Sequence, residues 1–290
     1  MTTIQWYPGH MEKAKRQVTE QLKRVDLVIE LADARIPLSS RNPMLDTILQ
    51  DKPRLLVLTK SDMADPESNE KWLQYFKEKG TKTLALNALQ NKGEKLIIEK
   101  AEEITAPIFE KMKRKGIKAR AIRAMILGIP NVGKSTVINR LVGKKTAKTG
   151  DKPGITKAQQ WLKVGKKMEL LDTPGILWPK FEDQLVGFRL AATGAIKDEL
   201  LDFEEVALFV TGLLKERYPS ALKERYSLDT LPGEKRELFE AIARKRGCLQ
   251  AGGYIDEEKC AEIILRDLRG EKFGRISLET PQDWQQHNEE

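Results

Sequence analysis

Short apolar runs alternate with charged segments over the first 180 residues of the chain. Runs of this length predict buried strands, whereas apolar residues at helical spacing over 134–141 predict a helix. The alternation of strands and helices favours an α/β fold. The predicted strands are residues 54–58, 83–86, 121–127 and 168–171.

The last third of the chain has a different pattern, typical of amphipathic helices. Three such runs cover residues 204–215, 234–245 and 257–268. We therefore predict an α/β domain over residues 1–180 and a smaller, all-helical C-terminal domain over residues 181–290.

Residues 128–135, GIPNVGKS, match the pattern of a phosphate-binding loop between a strand and a helix. Such a loop presents backbone N–H groups to phosphate, and the next helix adds its positive dipole end. Lys134 can reach the β- and γ-phosphates, and Ser135 can bind Mg²⁺. The loop therefore predicts a nucleotide site. Its predicted ligand-binding residues are Asn131, Val132, Gly133, Lys134, Ser135 and Thr136.

Residues 172–175, DTPG, follow the last predicted strand and are typical of a γ-phosphate sensor. Asp172 can hold Mg²⁺ through water, and the Gly175 N–H can approach the γ-phosphate. Thr156, in a Gly/Pro-containing loop, suits a switch that closes over Mg²⁺. The alternative is that Thr156 is an ordinary loop residue.

Residues 59–62, TKSD, end a predicted strand and are typical of a guanine-binding segment. Asp62 can accept hydrogen bonds from the guanine edge, and the stem of Lys60 can cover the purine ring. Thr59 and Ser61 complete the segment. GTPases usually carry asparagine in place of Thr59, so the sequence leaves the supporting contact to the phosphate loop open.

Residues 87–89, NAL, follow the strand predicted at 83–86. The Ala88 N–H would be offered to guanine O6, with Asn87 beside it. The signal is weak by itself, and it gains weight from the guanine-binding segment upstream.

The order of these segments is unusual, because the base-binding segment precedes the phosphate loop. With residues 6–11 (WYPGHM) and 33–37 (DARIP), this order resembles the circularly permuted (YlqF/YawG-type) GTPases, specifically the bacterial ribosome biogenesis GTPase A family. The resemblance covers most of the chain. It implies a P-loop domain with a permuted mixed sheet, and a cytoplasmic factor in assembly of the large (50S) ribosomal subunit.

Charge is distributed unevenly along the chain, whose formal net charge is +8. Residues 1–180 hold 35 Lys and Arg against 20 Asp and Glu, a balance of +15, and residues 181–290 hold 16 against 23, a balance of −7. A basic domain is typical of an RNA-contacting surface, although a scattered, solvated basic surface is the common alternative. The family resemblance implies that the helical domain helps to dock on ribosomal RNA.

The sequence carries no sign of a membrane or secretory protein. No apolar run is long enough to span a bilayer, and no apolar signal segment opens the chain. Two cysteines, Cys248 and Cys260, fit a reducing compartment. We expect a cytoplasmic protein with no membrane partner and no DNA partner.

Water activation is the open question in catalysis, because Ile176 occupies the position where many GTPases carry glutamine. The resemblance implies that His10 swings toward the γ-phosphate on the ribosome; the alternative is an exposed histidine without a role. Asn131 also matches K⁺-activated GTPases, in which a monovalent cation lies beside the phosphates. Its alternative is an asparagine chosen for turn geometry.

The residues predict a Mg²⁺-dependent GTP hydrolase that is K⁺-assisted, and the family resemblance implies that the ribosome stimulates it. It would alternate between GTP and GDP as a conformational switch on the maturing large subunit, in contact with ribosomal RNA and proteins. The predicted catalytic residues are His10, Lys134, Thr156 and Gly175. One alternative is a P-loop enzyme or factor acting on tRNA, and another is a nucleotide-gated membrane or signalling adaptor.

Overall fold

A computed structural model describes residues 16, 18–87, 93–143, 160–172, 183–196 and 202–286. The described residues form two compact units. The first contains the described residues from 16 to 172 together with 279–286, and the second contains those from 183 to 278.

A mixed sheet of six strands forms the centre of the first unit, in the order β3-β2-β1-β4-β6-β5. Neighbouring strands are parallel except for β5, which runs antiparallel to β6. This is the predicted fold class, and the four predicted strands are confirmed. The strands are β1 (Leu27–Asp33), β2 (Arg54–Thr59), β3 (Thr83–Leu86), β4 (Ile122–Gly128), β5 (Gln160–Val164) and β6 (Met168–Asp172).

Strand β1 lies in the middle of the sheet and is buried along its whole length. Parallel strands buried on both faces are mostly apolar, which explains the Leu, Val and Ile residues on either side of the buried Glu30. Helix α2 (Pro66–Glu78) covers part of one face of the sheet with Trp72 and Phe76. These two side chains are one helical turn apart, and their ring centroids are stacked at 5.6 Å. The helices of this part are α1 (Met44–Leu49), α2 (Pro66–Glu78), α3 (Gly93–Arg114) and α4 (Lys134–Val142).

The described part of the second unit is helical, and α6 packs against each of the other four helices described there. The three predicted amphipathic helices are confirmed as α6, α8 and α9. Asp267 is buried in this unit, where it pairs with Arg225 at 2.8 Å and accepts from the Tyr226 hydroxyl at 3.2 Å. The helices are α5 (Gln184–Ala192), α6 (Phe203–Arg217), α7 (Pro219–Tyr226), α8 (Lys235–Lys245) and α9 (Glu257–Arg269).

The two cysteines lie in this second unit and are both buried and unbridged. Burial, with Cys248 as neighbour, raises the pKa of the Cys260 thiol to about 12. Such a thiol stays protonated, so it is a poor nucleophile and a poor metal ligand.

Residues 279–286, which include α10 (Pro281–Gln286), pack on the first unit. Glu279 is fully buried there, and its carboxylate accepts from the backbone N–H groups of Leu38 at 2.6 Å and Ser39 at 3.1 Å. Its backbone carbonyl accepts from the Trp72 indole N–H at 3.3 Å. The predicted domain boundary after residue 180 stays a prediction. The hydrophobic pattern of the sequence did not indicate that residues 279–286 pack on the first unit.

None of the described helices is long and apolar enough to cross a membrane.

Candidate nucleotide-binding site

Those predicted site residues that the structure describes gather at the carboxyl edge of the sheet. The chain passes from β1 to β2 to β3 on one side and then crosses to β4 on the other side of β1. In open α/β sheets ligands bind at this edge, where the strand order reverses. The phosphate loop follows β4, directly at that point.

The phosphate loop owes its shape to three residues with special backbone requirements. Asn131 and Gly133 have left-handed backbones, with φ of 58° and 95°. A Cβ on Gly128 would lie 2.8 Å from Val132 Cγ1 and 3.2 Å from the Leu31 carbonyl oxygen, so only glycine fits between the loop and β1. The turn geometry by itself therefore explains an asparagine at 131, since asparagine tolerates the left-handed region.

Helix α4 begins at Lys134, directly after the loop, and its N-cap residue is Gly133, which has no side chain to cap the first turn. Its first N–H groups and its dipole therefore face the loop. The Lys134 side chain is buried, whereas those of Ser135 and Thr136 are half-buried in the first turn. This arrangement can bind an anion of the size of a phosphate chain.

Thr59 joins the predicted base-binding segment to the phosphate loop. Its fully buried hydroxyl lies 2.6 Å from the Val132 carbonyl oxygen and 3.0 Å from the Ala32 carbonyl oxygen. The supporting contact that the sequence left open is therefore made by the threonine hydroxyl. Since the side chain is short, β2 and the loop approach closely, and a Cβ on Gly133 would lie 4.0 Å from Thr59 Cβ.

Lys60 follows Thr59 with a left-handed backbone, φ 55°, and its ammonium lies 2.9 Å from Asp33 Oδ2. Arg35 binds the same carboxylate through two side-chain contacts of 3.0 and 2.8 Å. Burial raises the pKa of Asp33, but the charges of Arg35 and Lys60 outweigh it and hold this pKa well below its usual range. The carboxylate is therefore ionised.

Two hydrogen bonds hold the rest of the base-binding segment. The Ser61 N–H donates to the Leu86 carbonyl at 3.3 Å, which links the segment to the end of β3. The Asn69 amide donates to the Ser61 carbonyl at 3.0 Å. Asp62 and Asn87 are half-buried, one beside Ser61 and the other directly after β3. The predicted base-binding and phosphate-binding segments thus follow β2, β3 and β4 at one edge of the sheet, with β1 between β2 and β4.

The remaining predicted residues are placed only in part. Asp172 is the last residue of β6, which runs parallel to β4, so its backbone lies at the same carboxyl edge of the sheet as the phosphate loop. His10, Ala88, Thr156 and Gly175 lie outside the described residues.

The sequence assigned no role to Asp33 and Arg35, which the structure places beside Lys60 of the predicted base-binding segment. The available signal was a carboxylate at the end of an apolar run, followed by a cation two residues later. What the sequence could not show is that Lys60, 27 residues further on, shares this carboxylate.

Comparison with known proteins points in the same direction. Residues 123–229 match the model of a protein family described as "50S ribosome-binding GTPase". The chain is 58% identical to ribosome biogenesis GTPase A of Bacillus cereus over 281 residues, which cover 97% of this chain and 95% of that protein.

Two solved structures of YlqF are similar in fold. The GDP-bound structure has a TM-score of 0.65 and 28% identity, covering 92% of this chain and all of that one. The GNP-bound structure from Thermotoga maritima has a TM-score of 0.64 and 28% identity, covering 93% and 98%.

Proposed function

This chain belongs to the ribosome biogenesis GTPase A family and is a GTP hydrolase, and from that premise we propose that it acts as a nucleotide-controlled switch in assembly of the large ribosomal subunit. GTP would order the switch segments and favour binding to the subunit, and hydrolysis would release the protein. The name of the Bacillus relative and the description of the family model both support this proposal.

The observation that carries the proposal is the contact between Thr59 and Val132. The base-binding segment and the phosphate loop are 73 residues apart in the chain, yet a buried hydrogen bond of 2.6 Å joins them. One guanine nucleotide can therefore contact both segments at once.

In hydrolysis, the residues of the phosphate loop would position the β- and γ-phosphates. Lys134 and the N–H groups at the start of α4 supply positive charge, which stabilises the phosphate oxygens as the γ-phosphate leaves. We propose that Thr156 and the Gly175 N–H complete this surface when GTP is bound, and that His10 orients the attacking water.

Mg²⁺ would be held by Ser135 and Thr156, and through water by Asp172. The half-buried Ser135 hydroxyl in the first turn of α4 is a hard oxygen ligand of the kind that Mg²⁺ prefers. When bound, Mg²⁺ neutralises charge that develops on the phosphate oxygens. Asn131 would add a ligand for K⁺ beside the same phosphates.

The proposed partner is ribosomal RNA with its proteins, in the cytoplasm. Residues 1–180 carry a balance of +15, which suits binding to a polyanion and predicts steep dependence on salt. We propose that the helical domain, residues 181–290, helps to dock on this RNA.

Co-sedimentation tests the proposal directly. The purified protein is mixed with large subunits, small subunits or free tRNA, each with GDP and with a non-hydrolysable GTP analogue. We expect binding to the large subunit that the analogue strengthens by about 5- to 150-fold, the usual range of coupling between two ligands. A preference for tRNA would favour the alternative function, and binding that ignores the nucleotide would contradict the switch.

The role of His10 needs a separate measurement. We expect His10→Ala to leave nucleotide affinity unchanged and to lower ribosome-stimulated turnover by on the order of 100-fold. His287, in the polar tail, is the matched control, because His287→Ala removes the same side chain far from the nucleotide segments in sequence. Normal stimulated turnover of His10→Ala would remove the histidine from the mechanism.

A further inference from the structure

The cluster of Asp33, Arg35 and Lys60 is a part of the site to which the proposed function assigns only the stem of Lys60. Asp33 ends β1, and Lys60 follows the end of the neighbouring strand β2. The Asp33 side chain is 4% exposed, whereas the Lys60 side chain is 24% exposed. A buried anion therefore binds a cation that reaches the surface of the site.

Every oxygen of the Asp33 carboxylate has fixed partners. Oδ1 accepts from the backbone N–H and from Nε of Arg35, both at 3.0 Å, and Oδ2 accepts from Arg35 Nη2 at 2.8 Å and from Lys60 Nζ at 2.9 Å. Two-point binding of this kind fixes orientation as well as charge. The carboxylate is therefore a rigid anchor.

The backbone around the anchor is fixed as well. The Asp33 N–H donates to the Ser40 hydroxyl oxygen at 2.8 Å, and the Ser40 hydroxyl donates to the Ile36 carbonyl at 2.7 Å. These bonds close the turn that follows β1. The position of the carboxylate is thus determined by the fold before any ligand arrives.

Lys60, by contrast, has a long side chain that would sample many rotamers if its end were free. Its left-handed backbone, φ 55°, and the bond to Asp33 fix both ends of its four-carbon stem. A surface that is ordered before binding spares the ligand the entropy cost of ordering it.

We infer that Asp33 is a positioning residue for nucleotide recognition: its carboxylate anchors the Lys60 ammonium, so that the stem of Lys60 is held as an ordered apolar surface for the purine ring. The inference rests on the proposed role of residues 59–62 in binding the base. It extends the guanine-binding site to β1, the strand before that segment.

A double-mutant cycle tests this inference. The dissociation constants of GDP and of a non-hydrolysable GTP analogue are measured for the full chain, for Asp33→Asn, for Lys60→Met and for the double variant. Methionine keeps much of the apolar stem and removes the ammonium. We expect each single variant to bind both nucleotides about ten-fold more weakly, which corresponds to about 1.4 kcal/mol. The double variant should lose no more nucleotide affinity than the single variant that binds more weakly, because both changes remove the same bond.

Asp26→Asn is the matched control. Asp26 also forms a two-point ion pair, with Arg120 at 2.7 and 2.8 Å, but it stands before β1, at the opposite end of the strand. Seven strand residues place it roughly 20 Å from Asp33. We expect Asp26→Asn to bind both nucleotides as the unchanged protein does.

The outcomes separate this inference from the assignments on which it rests. Wild-type affinity of Asp33→Asn, or losses that multiply to about 100-fold in the double variant, would overturn the inference. If Asp33→Asn does not fold, unchanged affinity of Lys60→Met overturns it equally. Asp62→Asn should shift preference from GTP toward xanthosine triphosphate. If that shift occurs while Asp33→Asn is silent, the base-binding segment stands and only the anchoring role fails.

Discussion

Removal of the Glu279 carboxylate should loosen the first unit locally. The fully buried carboxylate accepts hydrogen bonds from the N–H groups of Leu38 and Ser39, from the Ser39 hydroxyl, and from the Trp284 indole at 3.2 Å. Glu279→Ala leaves these donors without their acceptor. The Ser39 hydroxyl can rotate to another partner, but the two backbone N–H groups cannot.

The expected loss follows from these bonds. A buried donor left unsatisfied costs about 1–3 kcal/mol, so we expect Glu279→Ala to lower the free energy of unfolding of the first unit by about 3–5 kcal/mol. Glu279→Gln keeps one acceptor oxygen for the Leu38 and Ser39 N–H groups but turns an N–H toward the Ser39 hydroxyl and the Trp284 indole. The hydroxyl can rotate and accept from this N–H, so the conflict is confined to the indole, and we expect a loss of about 1–2 kcal/mol.

Glu67→Ala is the matched control, because it removes the same charge from a surface pair with Lys71 whose Glu67 side chain is 78% exposed. Such a pair contributes about 0–1 kcal/mol. The assay is native-state hydrogen exchange, which resolves residues 36–42 and α2 from α8 in the second unit. Protection should fall in the first two segments and persist in α8. If residues 36–42 exchange at the same rate in Glu279→Ala as in Glu67→Ala, the Glu279 carboxylate does not stabilise this segment.

Four further outcomes are expected. Thr59→Val should weaken GDP and GTP binding by about 0.5–1.5 kcal/mol through the lost bond to Val132, whereas Thr59→Ser should bind normally in the same titration. Asn131→Gly keeps the left-handed turn and removes the amide, so turnover should lose its preference for K⁺ over Na⁺ at constant ionic strength; a preference that persists would assign Asn131 to the turn alone. The pKa of Asp33 is lowered in the folded state, so the ionised carboxylate contributes its full stabilisation above pH 3.8, its ordinary pKa, and this contribution declines as the pH falls below 3.8. In urea titrations, the free energy of unfolding of Asp33→Asn should therefore depend less on pH at the acid end. Lys134→Ala should bind nucleotide poorly and lose the analogue-enhanced sedimentation with large subunits.

The fold and the phosphate loop were accessible from the sequence because both depend on local patterns. A glycine-rich loop between a strand and a helix needs only neighbouring residues to form, and the predicted strands at 54–58 and 121–127 match β2 and β4. The left-handed backbones of Asn131 and Gly133 are likewise local, since these residue types tolerate that conformation.

The central strand β1 was missed because charged residues interrupt its apolar run. Glu30 is 1% exposed in the middle of this strand, and Arg41 and Arg54 neutralise it at 3.0 Å each. A buried carboxylate is tolerated only with such partners, and they come from other elements. The anchoring of Lys60 by Asp33 is hidden for the same reason, because it depends on two strands becoming neighbours.

The packing of residues 279–286 has a consequence for the order in which the protein matures during its own synthesis. Domains of a growing chain usually fold from the N-terminus onward. Here the partner of Ser39 is Glu279, which is synthesised 240 residues later. Most of the first unit is therefore synthesised early, but its last hydrogen bonds can form only when residue 279 has been added. In the interval, the N–H groups of Leu38 and Ser39 lack their acceptor. Once the second unit has folded, the chain between Ser39 and Glu279 contains fewer flexible residues, so closing this loop costs less entropy. We therefore expect the nucleotide-binding unit of a nascent chain to reach its final stability only after the helical unit has formed.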